Sequence, residues 1–172
     1  MSLVSRIATR RAVLWCALWC CAPSCVAADL RPWSGGASPT LELTDIEGRA
    51  HRLADYRGQV VLINFWATWC GPCREEMLSL RELKKKLAGR PFVVLAVNVD
   101  EPDSRVRKFL EQLPLDFPVL MDPGKRATGA WKVRILPASF LVARDGRARY
   151  TVTGELDWAN EHVVKLVSEL LP

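Results

Sequence analysis

The sequence predicts an α/β fold with a mixed central sheet flanked by helices, and three observations carry this. Two apolar runs rich in β-branched residues, QVVLINFW and PFVVLAVNVD, show no polar alternation, as strands buried on both faces do. Between them REEMLSLRELKKKLAG has helical spacing. The remainder alternates short strand-like runs with helix-start and turn signals.

The first 28 residues read as a signal peptide. MSLVSRIATRR is basic, AVLWCALWCCA is apolar, and CVAAD supplies small residues around a cleavage-type position after Ala28. If retained, the segment would serve as a membrane anchor. Its apolar core falls short of the about 20 residues of a transmembrane helix, and Pro23 and Ser24 interrupt an extension. Ala22-Pro23-Ser24-Cys25 also faintly resembles a bacterial lipidation motif without its Leu. All three readings place the body of the protein in the periplasm or otherwise outside the cytoplasm.

Residues 29–37, rich in Pro, Gly and Ser, read as a linker, and residues 38–172 as one domain. LELTDIEGRAHRL predicts a hairpin turning at Asp45 to Gly48, and QVVLINFW the first buried strand. The helix after Cys73 sets Met77, Leu80, Leu83 and Leu87 on one face and stops at Gly89. PFVVLAVNVD, PDSRVRKFLEQL and FPVLMD continue as strand, helix and strand, a βαβαβ order. GKRATGAWKV predicts a short helix. PASFLVARDGRARYTVTG gives two strands joined at Asp145-Gly146, and DWANEHVVKLVSELL closes the chain as a helix.

Composition narrows the function. The 172 residues are 49% hydrophobic and 25% charged, an ordinary globular balance. The formal charge of +5 includes Arg6, Arg10 and Arg11 of the first segment, which has no acid, so the chain after residue 28 carries +2. Its one basic run, Lys84-Lys85-Lys86, falls in a helical segment and reads as a solvated face, so no nucleic-acid partner is implied.

Six cysteines raise the question of a disulfide framework or a metal site. Cys16, Cys20, Cys21 and Cys25 belong to the apolar first segment, which leaves Cys70 and Cys73 in WCGPC. One CxxC builds neither a multi-bridge scaffold nor a four-ligand zinc site. It does build a redox pair. A cysteine that closes a strand and opens a helix meets unpaired N–H groups and the positive end of the helix dipole, which favour its thiolate. Thiols so placed have pKa values of roughly 3.5 to 7.5 against about 8.5 when free. Cys70 is therefore the attacking sulfur, and Cys73, one turn further in, resolves the mixed disulfide. Pro72 fixes the first turn of the helix, Gly71 leaves the sulfur approachable, and Trp69 offers an apolar wall beside it.

VVLINFWATWCGPCREE, with LTDIEGRAHRLADYRGQ upstream and WKVRILPASFLVARDG downstream, resembles the TlpA/ResA branch of thioredoxin-like thiol:disulfide oxidoreductases over nearly all of residues 38–172. The resemblance implies a thioredoxin-like fold with an N-terminal hairpin and a central insertion, placed within residues 101–120. It implies a redox-active Cys70–Cys73 disulfide, no cofactor and no metal. It also implies a cis-proline at Pro137 beside the CxxC, where the backbone of Leu136 pairs with a client chain. The buried Asp of thioredoxin is Asn64 here, so that position cannot accept a proton. Glu76, three residues after Cys73, matches the branch's carboxylate, suited to take the Cys73 proton.

Three positions depart from the branch. Leu78 replaces a Pro that kinks the helix, Leu136 replaces a Thr, and Ala138 stands where cytochrome c specialists often carry an acid. The implied function is an exported reductant of disulfides in client proteins, supplied by a membrane thiol electron donor. Clients in cytochrome c or cytochrome oxidase maturation are implied by the branch. Two other readings compete: a copper carrier binding Cu(I) through both thiols, which lacks a nearby Met/His cluster, and a peroxiredoxin, which would space its Thr differently from Thr68-Trp69-Cys70.

Overall fold

The computed structural model describes residues 29–172. The signal, anchor and lipidation readings of residues 1–28 lie outside the described residues. Eight strands form one sheet: β1 (Arg31–Pro32), β2 (Glu42–Asp45), β3 (Ala50–Arg52), β4 (Val60–Trp66), β5 (Phe92–Val99), β6 (Val119–Asp122), β7 (Ala138–Val142) and β8 (Ala148–Thr153). Four helices complete the domain: α1 (Gly71–Lys86), α2 (Asp103–Gln112), α3 (Arg126–Ala130) and α4 (Glu161–Glu169). The strand order is β1-β8-β7-β4-β5-β6-β2-β3. β4, β5 and β6 run parallel, while β7, β8 and the β2–β3 hairpin pair antiparallel, which gives the expected mixed sheet.

Every residue of β4 is buried because the sheet is covered on both sides. Val60, Leu62 and Trp66 face one core with Met77, Leu80 and Leu83 of α1, Val106 of α2 and Val163 and Val167 of α4. Val61, Ile63 and Phe65 face the other, built around Trp131 and Phe140. There Phe140 packs edge-on against Phe65 at 5.8 Å and Trp33 at 5.6 Å, and Trp131 lies 4.8 Å from Phe140. The alternation along β4 puts Asn64 on the α1 side.

Four local features sharpen the expected layout. Arg31 and Pro32, within the Pro/Gly/Ser stretch, form an edge strand on β8, opposite Thr151 and Tyr150. Residues 101–120 hold α2 and lead into β6, which extends the parallel sheet toward the hairpin. Helix α1 is unbroken from Gly71 to Lys86, with Leu78 exposed where the branch carries proline. The last helix begins at Glu161 instead of near Asp157, because the side chain of Asn160 caps it by accepting from the His162 N–H at 2.9 Å. That delay leaves Trp158 in a turn that enters the α1-side core.

The edge hairpin turns on Asp45. Its carboxylate accepts from the backbone N–H groups of Glu47 and Arg49 and from Arg49 Nε, and lies 2.9 Å from His51 Nε2. Burial pushes this carboxyl up, but the hydrogen bonds from His51 and Arg49 outweigh it and hold the pKa at about 2. Gly146, at φ +73°, makes the turn between β7 and β8.

Replacing Trp131 with Ala empties the centre of the aromatic core on the face away from α1. Urea denaturation is expected to show a loss of ~3–5 kcal/mol, while the thiol exchange rate of the folded fraction stays unchanged.

Candidate active site

Strand β4 ends at Trp66, and after the turn through Ala67-Thr68-Trp69 the chain enters α1 at Gly71. Cys70 is the N-cap residue of that helix: its backbone is extended, and its sulfur accepts from the Cys73 N–H at 3.3 Å. Pro72 follows in the first turn, where its missing N–H costs no hydrogen bond. The sulfur therefore sits where free N–H groups and the helix dipole meet an anion. Cys70 and Cys73 are joined by a disulfide with an S–S distance of 2.04 Å. Cys70 is 6% exposed and Cys73 fully buried, so a partner approaches the first sulfur and not the second.

The surroundings of the pair are unequal. Trp69 is 66% exposed, Pro72 exposed and Gly71 half-buried, an open rim beside Cys70. Pro137 is buried and follows a cis Leu136–Pro137 peptide bond. It directly precedes β7, whose Ala138 pairs with Phe65 of β4, so it lies at the same end of the sheet as the turn to Cys70. Leu136 is partly buried against both cores, and its neighbour Ile135 is exposed. The structure thus gathers Trp69, Cys70, Gly71, Pro72, Leu136 and Pro137 at one pole.

Glu76 lies beneath this rim. The buried stripe of α1 runs through Cys73, Glu76, Met77, Leu80 and Leu83, so helical periodicity turns the carboxylate inward with the second cysteine. Glu76 is 1% exposed. Its Oε1 accepts from Trp158 Nε1 at 2.6 Å and its Oε2 from Asn64 Nδ2 at 2.9 Å. Burial pushes its pKa from the ordinary 4.5 to about 7, while the hydrogen bonds from Trp158 and Asn64, and a smaller pull from the Leu156 backbone, limit the rise. A carboxyl poised near neutrality suits proton exchange with a thiol. The neighbouring Glu75 is exposed.

Sequence reasoning missed three contributors. Trp158 carries no local signal, since it reaches Glu76 from 82 positions away through the turn before α4. Ser139, opposite Asn64 in the β4–β7 register, receives a second hydrogen bond from Asn64 Nδ2 at 2.9 Å. The third is Glu101, just past the end of β5. Its carboxylate accepts from the Thr68 N–H and the Thr68 hydroxyl, each at 2.6 Å, and from Asn98 Nδ2 at 2.8 Å. This clasp fixes the turn that delivers Trp69 and Cys70, and it gives Thr68 an anchoring role.

A cleft of about 850 Å³ lined by Trp33, Arg57, Asp145 and Arg149 lies at the other pole, by the β7–β8 turn. It contains none of the thiol or carboxyl groups above.

Residues 35–151 match the AhpC/TSA family. Thiol-disulfide oxidoreductase ResA of Geobacillus thermodenitrificans (strain NG80-2) is 42% identical over 122 residues, 71% of this chain and 70% of that protein. The chain belongs to this family. ResA of Bacillus subtilis (strain 168) is 33% identical over 145 residues, covering 84% of this chain and 81% of the relative. Among solved structures, a Chlorobium tepidum protein assigned as thiol:disulfide interchange protein DsbE superposes with a TM-score of 0.72 at 31% identity, covering 78% of this chain and 94% of that one. The fold is thus thioredoxin-like, and the chain is a thiol:disulfide oxidoreductase of this family.

Two outcomes follow from these contacts. Glu76 keeps its proton to about pH 7 in the folded protein, whereas in the unfolded chain it loses it near 4.5, so its share of stability is full below the lower value and lost as pH rises through the higher. Oxidised wild type is expected to fall relative to Glu76→Gln by roughly 3 kcal/mol between about pH 5 and about pH 8 in urea denaturation. Removing the clasp with Glu101→Ala is expected to cost ~1–3 kcal/mol, with Glu101→Gln recovering about half in the same assay.

Proposed function

We propose that this oxidoreductase works as a reductase of disulfides in extracytoplasmic client proteins. The observation that carries the reading is the pairing of an exposed-side sulfur at a helix N-cap with a buried second sulfur and a buried carboxyl on the same helix face. The Cys70 thiolate attacks one sulfur of a client disulfide, forming a Cys70–client bond and releasing one client thiolate. Cys73 then gives its proton to Glu76 and attacks the Cys70 sulfur. The second client thiolate leaves, and two electrons have passed to the client.

The unequal burial of the two cysteines supports this order, because only Cys70 meets a bulky partner. Trp69, Gly71, Pro72, Leu136 and Pro137 form the client contact surface in this reading. Leu136 supplies backbone hydrogen-bonding groups and an apolar side chain without the hydroxyl that the family often has there. The basic and apolar first 28 residues support export to the periplasm or an equivalent compartment, with the segment cleaved or kept as a tether. Return of the Cys70–Cys73 disulfide to the dithiol requires a thiol donor, and in that compartment a membrane protein supplies it. Clients in cytochrome c or cytochrome oxidase maturation are examples that fit, while Ala138, in place of the acid that cytochrome c specialists often carry, favours a general reductase.

The test is a Cys73→Ser variant expressed in the native compartment. It is expected to accumulate client proteins bound to Cys70 through disulfides that dithiothreitol releases, and a Cys70→Ser variant is expected to capture none. Absence of mixed disulfides in the first variant would sink the mechanism. A wild-type reduction potential near the oxidising end of the roughly −270 to −120 mV range of such folds would overturn the direction.

A further inference from the structure

Both oxygens of the Glu76 carboxylate face N–H donors, Trp158 Nε1 at 2.6 Å and Asn64 Nδ2 at 2.9 Å. That arrangement serves an anion. It does not serve the neutral acid, whose O–H would need an acceptor and instead points at a donor. An indole N–H and a backbone N–H only donate, so neither Trp158 nor Leu156 can reverse its role. Asn64 can, because its amide carries an acceptor opposite its donor on nearly the same shape.

The acceptor is unengaged. Asn64 is fully buried and its Oδ1 has no hydrogen-bond partner. Its Nδ2 meanwhile serves two groups, Glu76 Oε2 and Ser139 Oγ, each at 2.9 Å. A hydroxyl donates as readily as it accepts. Turned over, the amide would accept from the Glu76 acid and from the Ser139 hydroxyl through Oδ1. One buried amide atom is unpaired in either orientation, so a change of protonation on Glu76 shifts the preference between them.

We propose that Asn64 is a positioning residue for the proton on Glu76: its amide reverses when the carboxylate is protonated, and the Ser139 hydroxyl reverses with it. The reversal is a rotation in place and requires no repacking of the core. Asn64 thereby provides a partner for both states of the group that, in the proposed cycle, receives the Cys73 proton. An Asp there would oppose ionisation of Glu76, and an apolar residue would serve neither state. The other groups that face Glu76 are Cys73 on its own helix, held in the disulfide, and Glu155 before α4, whose charge opposes ionisation. The proposal rests on the exchange reading only for its place in the cycle.

The experiment is NMR of the isotopically labelled full chain in its oxidised form, where the two cysteines do not titrate. The Glu76 carboxyl carbon and the Asn64 side-chain amide protons are followed from about pH 5 to about pH 9. The expected result is a common midpoint. Nuclear Overhauser contacts from the amide protons to Glu76 and Ser139 are expected at high pH and lost by at least fivefold at low pH. Amide protons that keep both contacts on each side of the Glu76 titration would overturn the proposal, as would a Glu76 that does not titrate in this range. Asn64→Leu is expected to raise the Glu76 midpoint by about a unit, a tenfold change in proton affinity; no rise would count against Asn64 as the anion's partner. No client is present, so the result stands apart from the exchange reading: full resolving activity in Glu76→Gln would sink the catalytic use of Glu76 and leave the amide reversal intact.

Discussion

The burial of one carboxyl beneath a helix is the constraint on which the site depends. Glu76 is on the inner stripe of α1, and an isolated anion there would be costly. The fold answers with an indole from the turn before α4 and an amide from the central strand. These two donors are far apart in the sequence, so the site is complete only when the turn before α4, α1 and β4 are packed together. A carboxyl with its pKa raised to about 7 is thus a product of tertiary assembly, with the local sequence supplying only the carboxyl itself.

The two cysteines obey a simpler logic. Cys70 is governed by the end of a helix and Cys73 by its flank, so the same four-residue motif yields one accessible and one enclosed sulfur. The turn leading in is held by Glu101 through both a backbone and a hydroxyl group of Thr68. Two carboxylates therefore flank the motif with opposite duties. Glu101 is tied to three donors and fixes geometry, whereas Glu76 is balanced between protonation states.

Much of this was legible in the chain. The unbroken apolar runs of β4 and β5 reported a sheet covered on both faces, and the strand–CxxC–helix order reported that Cys70 stands at a helix N-terminus. The inward turn of Glu76 could be read from its spacing with Cys73, Met77 and Leu80. Asn64 was legible only as the absence of an acid; its positive role needs the β4–β7 register that sets it against Ser139. Trp158 could not be read, because the DWANEH segment looks helical until the Asn160 cap shows where the helix starts. The pairing of Arg31 and Pro32 with β8 was hidden by a composition typical of a connector.

The short β1 strand has a practical corollary. It runs antiparallel to β8, and β8 heads toward Thr153, the partner of Ala138 beside Pro137, so Arg31 is the end of β1 nearer the pole of Cys70. The other terminus is at the far pole, where Arg90, just ahead of β5, holds the carbonyl of Pro172. The domain is therefore polar with respect to attachment. Attachment through the β1 end would keep Cys70 close to the surface that holds it, while immobilisation through Pro172 would present the sulfur outward.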